Sequence, residues 1–265
     1  MSSGVRYMAH GFLPASSAEI TSAMQVARGF LVDWDGCCAI DNQLTEAAAA
    51  FLTAHHARTV IVSNNSSNTV DDFLEILSRG GIVMRREQVV LAGVEAIDRA
   101  AMAGQVDVMV LAHPRMRAVA RNTGIRLNRD EAEIVVLLRD TRFSYSRLER
   151  AANALRKGAR LIVANPDLTH PGAEGRIKPE TGALLSALGS CVNLDAVDME
   201  VVGKPKPGLY LKACRALDLA PEEVVMLGDN PATDLAGAQA LGMHSLLVRA
   251  DEPGVLGALA RDFSF

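Results

Sequence analysis

Carboxylates follow two of the apolar segments of this sequence. The segment "GFLVDWDG" runs into Asp33 and Asp35, and the segment "VVMLGDNPATD" runs into Asp229 and Asp234. Successive residues of an extended chain point to opposite sides, so Asp33 and Asp35 share one side while Trp34 faces the other. Two carboxylates this close repel each other unless a cation or a shared proton relieves them. If the two acidic segments meet, they predict a site for Mg²⁺, which prefers oxygen ligands.

Two further segments offer groups that bind anions. In "VIVSNNSS", an apolar run leads to Ser63 and Asn64, whose hydroxyl and backbone N–H groups precede a predicted helix and suit an anionic oxygen. In "VVGKPKPG", Lys204 stands in a stretch stiffened by two prolines and can serve as a fixed positive charge for phosphate. Each segment taken alone also has a purely structural interpretation, as a turn, a helix cap or a solvent-facing lysine.

Short β-branched runs alternate with longer Ala- and Leu-rich stretches, which is typical of βαβ units on a parallel sheet. The fold class is therefore α/β, and the polar residues above stand where ligands bind such sheets, at the carboxyl ends of the strands. The predicted strands are 29–33, 59–62, 106–111, 134–138, 161–163, 224–227 and 245–248.

Composition narrows the range of functions. The 265 residues suffice for two domains, and 27 basic against 31 acidic residues leave no excess of positive charge for nucleic acid. No apolar run approaches the ~20 residues of a membrane span, and the N-terminus lacks a secretory signal. We therefore expect a cytoplasmic protein that binds neither nucleic acid nor membrane. The four cysteines lack metal-site spacing and are expected to be free thiols.

Taken in order, "DWDG", "SNNS", "GKP" and "GDNPATD" resemble the four motifs of the haloacid dehalogenase superfamily of phosphohydrolases. The resemblance covers about residues 29 to 250 and implies a Rossmann-like, doubly wound parallel-sheet core. The second and third motifs are 141 residues apart, from Ser63 to Lys204, which is far more than one crossover needs. The stretch between them is similar to the α/β cap of the NagD and p-nitrophenyl phosphatase branch. We thus expect a discontinuous core, residues 1–102 and 199–265, with a cap inserted at residues 103–198.

The resemblance implies a role for each matching residue. Asp33 corresponds to the nucleophile that forms an aspartyl-phosphate, and Asp35 to the general acid and base. The phosphate would be held by Ser63, the backbone N–H of Asn64 and Lys204. The residues implied to bind or adjust Mg²⁺ are Asp33, the backbone carbonyl of Asp35, Asp229 as a direct ligand, and Asp234, which would orient a metal-bound water or Lys204.

The cap is expected to choose the substrate, a small phosphorylated metabolite. In "NPDLTHPG", Asn165, Asp167 and His170 lie on the loop that faces the active site in the family, although His170 could equally form only local bonds. The sequence leaves phosphoglycolate, glycerol phosphate, pyridoxal phosphate, sugar phosphates and nucleotides open as substrates. The branch often forms dimers through the cap, so a homodimer is a further expectation.

Other functions of related chemistry are less well supported. A dehalogenase lacks the second acid, Asp35, because a halide leaves without a proton. A phosphonatase uses a cap lysine, and the cap lysines Lys157 and Lys178 lie in stretches that give no reason to place them at the site. A signalling receiver orders its acidic residues differently. A relative that binds a phosphorylated ligand without turnover is the remaining alternative, although all four motifs are intact.

The chain departs from the family pattern in two places. Cys37 stands where the family commonly has a threonine that helps to orient the second acid, so a weak thiol donor replaces a hydroxyl. A leader of about 28 residues, with the helical-looking "SAEITSAMQVA", precedes the first strand and could pack on the core or on a partner subunit.

Overall fold

A computed structural model describes residues 15–128, 130–171, 176–252 and 254–261. In that part of the chain the strands are β1 (Gly29–Val32), β2 (Ala39–Ile40), β3 (Gln43–Leu44), β4 (Thr59–Ser63), β5 (Val89–Leu91), β6 (Asp107–Leu111), β7 (Arg126–Leu127), β8 (Ile134–Leu137), β9 (Arg160–Val163), β10 (Thr169–Pro171), β11 (Ile177–Pro179), β12 (Met199–Val201), β13 (Val224–Gly228) and β14 (His244–Leu247). The helices are α1 (Ser17–Val26), α2 (Glu46–His55), α3 (Val70–Arg79), α4 (Ala92–Ala101), α5 (Pro114–Asn122), α6 (Tyr145–Arg156), α7 (Thr181–Gly189), α8 (Pro207–Leu217), α9 (Ala236–Gln239) and α10 (Gly254–Arg261).

The first sheet contains five parallel strands in the order β14-β13-β1-β4-β5. Every residue of β1, β4 and β13 is buried, which explains why these strands are continuous apolar runs and not alternating ones. Strand β1 lies in the middle of the sheet, between β13 and β4. The carboxyl ends of these three strands therefore lie side by side at one edge of the sheet, which is where doubly wound sheets bind ligands.

A second sheet, also of five parallel strands, has the order β12-β9-β8-β6-β7. Strand β12 pairs with β9 through Met199 to Val201, so this sheet extends three residues past the boundary predicted at 198/199. The α/β class and the doubly wound parallel core predicted from the sequence are confirmed.

Helix α4 joins the two sheets. It contacts β5 of the first sheet and β8 and β9 of the second. One hydrophobic cluster accordingly contains Leu31 and Val62 of the first sheet together with Val136 and Ile162 of the second. The outer faces are covered separately, by α2, α3 and α10 on the first sheet and by α6 and α7 on the second. The shared cluster fixes the second sheet over the first.

Two short antiparallel hairpins project from this framework. In the β2–β3 hairpin, Asp41 and Asn42 both have positive φ, 50° and 61°, which is the conformation of a tight two-residue turn. The β10–β11 hairpin pairs Thr169 with Pro179 and His170 with Lys178. Both hairpins border the cleft described below.

All seven predicted strands are present, within one or two residues of the expected bounds. The sequence did not predict helix α10, which lies in a Gly- and Ala-rich segment, or six short strands of two or three residues each: β2, β3, β5, β7, β10 and β11. The leader helix packs on the core: Ala23 and Met24 of α1 are buried, and α1 contacts β13 and β14. Among the described residues, no helix has the length and apolarity needed to cross a membrane.

Gly203 lies where the chain leaves the second sheet, and its backbone packs closely against Ala164 and Asn64. Its N–H donates to the Ala164 carbonyl (2.7 Å), and a Cβ at this position would lie 2.5 Å from both that oxygen and Asn64 Oδ1. We predict that Gly203→Ala lowers the free energy of unfolding by about 1–3 kcal/mol, because the backbone must shift. The matched control is Gly254→Ala at an open helix start, which is expected to be neutral or stabilising. Urea unfolding of the two variants measures this difference, and equal midpoints would contradict the crowding at Gly203.

The cysteines differ in their exposure to solvent. All four are free; Cys191 is exposed, whereas Cys37, Cys38 and Cys214 are buried. Burial raises the pKa of Cys214 to about 11, which disfavours its reactive thiolate. We predict that the native protein titrates one fast thiol with a disulfide reagent and four after unfolding, and that Cys191→Ser abolishes the fast phase. Any fast thiol in that variant would refute the burial of the other three cysteines.

Candidate active site

The carboxyl edge of the first sheet opens into a cleft of about 850 Å³. Asp33 follows β1, Ser63 is the last residue of β4, and Asp229 follows β13. Since β1 lies between β4 and β13, these side chains form the floor of the cleft. Loops from the second sheet and the two hairpins form its walls.

A buried lysine connects the acidic residues of the floor. The Lys204 ammonium, in a residue only 1% exposed, lies 2.5 Å from Asp33 Oδ1 and 2.6 Å from Asp234 Oδ1, and it donates to the Val62 carbonyl (2.8 Å). Burial by itself lowers the pKa of Lys204, but the charges of Asp234 and Asp33 outweigh it and raise that pKa above its usual value. Lys204 is therefore a permanent cation.

Three carboxylates surround this cation. One ligand oxygen from each of Asp33, Asp229 and Asp234 lies within 4.8 Å of the others, so with Lys204 the cluster carries a formal charge of −2. Burial, with the negative charge of Asp234, raises the pKa of Asp229 to about 7. Burial likewise raises the pKa of Asp33 well above its usual range, against the opposing charge of Lys204. An oxygen-preferring divalent cation would relieve this repulsion, so the residues fit Mg²⁺.

The carboxylates of Asp234 and Asp229 differ in whether their oxygens are already bonded to other groups. Both oxygens of Asp234 are engaged, Oδ1 with Lys204 and Oδ2 with the backbone N–H of Asn230 (3.0 Å). Asp229 forms no salt bridge in the described part of the chain, and it faces Gly36, where a Cβ would lie 2.3 Å from Asp229 Oδ2. Gly36 has φ +87°, so the turn and the close approach both require glycine. The contacts favour Asp229 over Asp234 as a direct metal ligand.

Asp35 lies beside Asp33 in the cleft. Burial raises the pKa of Asp35, and the Asn65 side-chain amide lies 3.5 Å from Asp35 Oδ2. Trp34 points to the other side as predicted: it is fully buried, packs on Phe73 with ring centroids 4.8 Å apart, and donates its indole N–H to Asn42 Oδ1 (3.0 Å). The strand alternation thus sends both acids into the cleft and anchors the segment through the tryptophan.

Asn64 ties the second motif to the third. Its Oδ1 accepts from the Lys204 backbone N–H (2.7 Å), and its Nδ2 donates to the Lys204 carbonyl (3.2 Å) and to Asp167 Oδ2 (3.0 Å). The side chain therefore holds the lysine backbone, and only its backbone N–H is available for an anion in the cleft. Ser63 Oγ accepts from the Asn65 N–H (3.0 Å), which leaves its hydroxyl proton to donate.

The fourth motif begins with a π-helical turn, Pro231–Leu235, which precedes α9. Tyr210 of α8 donates its hydroxyl to the Thr233 carbonyl (2.6 Å) and lies 3.2 Å from the Asp234 carbonyl. Gly228 allows the Asp234 side chain to approach, since a Cβ there would lie 2.4 Å from Asp234 Cβ. Sequence reasoning missed Tyr210, whose position follows only from the packing of α8.

The walls carry side chains from the second sheet and its hairpin. Asp167 and His170 line the cleft as predicted. His170 Nδ1 lies 2.5 Å from Glu180 Oε1, and Arg139 Nη1 lies 3.4 Å from the same oxygen. Arg139 and Glu180 were not predicted. Glu180 directly follows β11 and Arg139 is the second residue after β8, and this place near a strand end is the one sequence signal that marks them.

Two expectations about this wall are corrected. Asn165 does not line the cleft: it is 1% exposed and donates to the Asn64 carbonyl (2.7 Å), so it joins two loops and does not face a substrate. Lys178, for which the sequence offered no role, does line the cleft and lies 2.6 Å from Asp41 Oδ1 in the β2–β3 hairpin. The positions of both side chains depend on contacts with distant segments of the chain, which the local sequence pattern does not reveal.

Among the described residues, the Cys37 thiol forms no hydrogen bond with Asp35. Its Sγ lies 3.7 Å from the Leu227 carbonyl of β13, and the neighbouring Cys38 and burial raise the pKa of its thiol. Cys37 thus packs the motif against the sheet, and the side-chain donor beside Asp35 is the Asn65 amide, 3.5 Å from Asp35 Oδ2.

Comparisons with known proteins agree with this geometry. Residues 30–126 match the model of the haloacid dehalogenase-like hydrolases, and residues 201–254 match a second, HAD-hydrolase-like model. The chain is 29% identical to the 5'-nucleotidase YutF of Bacillus subtilis over 229 residues, 85% of this chain and 88% of that protein.

Two solved structures share the fold. A p-nitrophenyl phosphatase from Archaeoglobus fulgidus superimposes with a TM-score of 0.76 at 23% identity over 85% of this chain and 89% of that one. A glycerol phosphate phosphatase from Mycobacterium tuberculosis, in complex with magnesium, gives 0.72 at 29% identity over 83% and 67%. The chain belongs to the haloacid dehalogenase-like hydrolases, and it shares its fold with NagD and the p-nitrophenyl phosphatases.

Proposed function

We propose that this protein is a Mg²⁺-dependent phosphatase that hydrolyses small phosphomonoesters through an aspartyl-phosphate on Asp33. The observation that carries the proposal is the floor of the cleft, where Asp33 lies 2.5 Å from a buried lysine and shares one acidic cluster with Asp229 and Asp234. Asp35, two residues further on, lines the same cleft. The phosphatase names of the relatives support the same reaction class.

In the first step, Asp33 attacks phosphorus and the bond to the leaving oxygen breaks. Asp35 gives its proton to that oxygen, a role that suits a carboxyl whose pKa is raised by burial. In the second step, a water oxygen attacks phosphorus, Asp35 takes the proton from the water, and the bond to Asp33 breaks. Phosphate is released and both acids return to their starting forms.

The other residues of the floor hold the phosphoryl group and the metal. Ser63, the backbone N–H of Asn64 and Lys204 would donate to the phosphoryl oxygens, on which negative charge is spread in the transition state. Asp33, Asp229 and the backbone carbonyl of Asp35 would hold Mg²⁺. Bound there, Mg²⁺ supplies the positive charge that offsets the repulsion between a carboxylate and a phosphate dianion.

We further propose that the second sheet and its hairpin, residues 107–201, act as a substrate-selecting cap on a core formed by the rest of the chain. The residues that this cap presents to the cleft, Asp167 and His170 among them, support its role in substrate selection. A cytoplasmic location and a homodimer formed through the cap stay predictions.

We predict that Asp33→Asn lowers kcat for p-nitrophenyl phosphate at least about 10³-fold, because an amide cannot form the acyl-phosphate. The matched control is Asp195→Asn, an exposed residue of the second sheet's periphery, which is expected to stay within about twofold of wild type. Phosphate release in the presence of Mg²⁺ measures both. Equal, measurable rates for wild type and Asp33→Asn would exclude the nucleophilic role, whereas no phosphate release from either protein would favour one that binds phosphorylated ligands without turnover.

Binding of Mg²⁺ should also raise the melting temperature of the protein. At 100 times its Kd, a ligand specific to the folded state adds about 2.7 kcal/mol, or roughly 5–10 °C in Tm for a chain of this size. We predict that Asp229→Asn loses this shift, while its metal-free Tm equals or exceeds that of metal-free wild type because one repelling carboxylate is gone. Asp251→Asn, an acid at the cleft rim paired with Arg249, is the control that keeps the shift. A full Mg²⁺ shift in Asp229→Asn would remove Asp229 from the ligand set.

A further inference from the structure

A second cavity, of about 420 Å³, shares no lining residue with the cleft. Strand β6 and the end of β7 form its base, and helices α5 and α6 contribute its charged side chains. Residues 111–160, which include both helices, contain 12 of the 27 lysines and arginines but only 5 of the 31 acidic residues. Every ionisable residue among the described residues that line the cavity is an arginine, namely Arg117, Arg121, Arg147 and Arg150.

Nearby acids neutralise these arginines only in part. Arg147 pairs with the buried Asp140, and Arg150 lies 3.8 Å from the exposed Asp130. Arg121 is exposed and forms no salt bridge within the described parts of the chain. The cavity is therefore a basic surface on a protein of net charge −4, and it attracts a ligand with several negative charges.

The base of the cavity is an unpaired edge of the second sheet. Strand β7 pairs only with Asp107 and Val108, whereas β6 continues to Leu111 and pairs with β8 on its other side. Backbone groups of successive strand residues point to alternate sides. On the open side the Asn128 N–H donates to the Val108 carbonyl (3.0 Å), so the N–H and carbonyl of Val110 point to that side as well. Neither Val110 group is bonded to a described residue there, which leaves a donor and an acceptor for an added strand.

The arginines lie on both faces of this open edge. Met116 of α5 packs in one hydrophobic cluster with Val108, and Leu155 of α6 packs in another with Met109 and Leu111. Helices α5 and α6 therefore cover opposite faces of β6, and each contributes two arginines to the cavity. The side chains of an added strand also alternate between the two faces, so acids at consecutive positions would reach both pairs of arginines.

We infer that this cavity is a docking site for an acidic segment of another protein, which adds to the open edge of β6 as an extended strand. The backbone of the segment pairs with the N–H and carbonyl of Val110, and its carboxylates pair with Arg121, Arg147 and Arg150. This mode of binding does not involve the cleft and does not depend on the phosphatase function proposed above.

Other occupants fit the cavity less well. A free polyphosphate would accept from the Val110 N–H but would leave the Val110 carbonyl oxygen facing an anion, whereas a peptide satisfies both groups. A second copy of this chain, bound at this edge by two-fold symmetry, would bring the same arginines face to face, and like charges oppose such an interface.

The first test measures binding of the hexapeptide Val-Glu-Glu-Glu-Glu-Val, labelled with fluorescein and amidated at its C-terminus, by fluorescence anisotropy at low ionic strength. One control peptide has glutamine in place of glutamate, and a second carries N-methyl groups on all four glutamates. We expect both controls to bind at least about tenfold more weakly, because the first lacks the arginine–carboxylate pairs and the second cannot pair with the strand edge.

Three outcomes of this test overturn the inference. The first is equal binding of the N-methylated peptide, which would show that charge alone is recognised. The second is displacement of the labelled peptide by inorganic tripolyphosphate at a lower concentration than by unlabelled peptide, which would assign the cavity to a small anion. The third is no measurable binding of the parent peptide at about 1 mM, the concentration that corresponds to the weakest specific affinities.

The second test locates the site with variants. Arg121→Glu on α5 and Arg150→Glu on α6 reverse one charge on each face of the edge, and each should weaken peptide binding at least about fivefold. The matched control, Arg156→Glu, changes an exposed arginine of α6 outside the cavity and should bind within about twofold of wild type. Circular dichroism verifies that the variants are folded. Unchanged affinity in both cavity variants, or an equal loss in the control, overturns the assignment.

The third test separates docking from simple protection of the edge, because charged side chains also keep exposed strand edges from pairing with other copies. Docking predicts that bound peptide slows hydrogen exchange of the Val110 amide at least about fivefold in wild type, and not in Arg121→Glu. Protection alone predicts that the cavity variants self-associate in light scattering while the peptide leaves exchange at Val110 unchanged. That result would overturn the inference.

Discussion

The buried ammonium of Lys204 is the interaction on which the rest of the site depends. A buried charge is tolerated only when it is paired and hydrogen-bonded, and breaking a buried ion pair costs about 3–5 kcal/mol. Lys204 satisfies this condition with Asp33 on one side, Asp234 on the other and the Val62 carbonyl at the end of β4. One side chain thereby links the ends of three chain segments, and it sets the distance between the nucleophile candidate and the acids of the fourth motif.

The same lysine connects the two sheets. Its backbone is held by the Asn64 side chain, and the preceding Gly203 bonds to Ala164 at the end of β9. Asn165, next in the chain, reaches back to the Asn64 carbonyl. The floor and the wall of the cleft therefore share their supports, so a shift of the second sheet would move Lys204 as well. If the second sheet selects the substrate as proposed, this arrangement couples substrate selection mechanically to the phosphoryl chemistry.

Electrostatics divides the cleft into two regions. On the floor, three carboxylates face one cation. Burial, with the negative charge of the neighbouring carboxylates, raises the pKa values of Asp33 and Asp229, and the repulsion favours a metal ion. On the walls, each lysine or arginine faces an acid, so charge is locally balanced. Because the wall lysine and arginines are already paired with acids, Lys204 on the floor is, among the described lining residues, the cation left to attract a phosphoryl group, and hydrogen bonds are left to distinguish one leaving group from another.

The sequence by itself determined the α/β class, the seven strands of four or five residues and the positions of Asp33, Asp35, Asp229 and Lys204, because all of these follow from patterns within about ten residues. The tertiary structure decided what depends on distant segments. Examples are the burial of Asn165, the contact of Lys178 with Asp41 across 137 residues, and the pairing of Arg139 with Glu180. The physical reason is that alternation and turn chemistry act locally, whereas burial and ion pairing depend on which loops the shared hydrophobic cluster brings together.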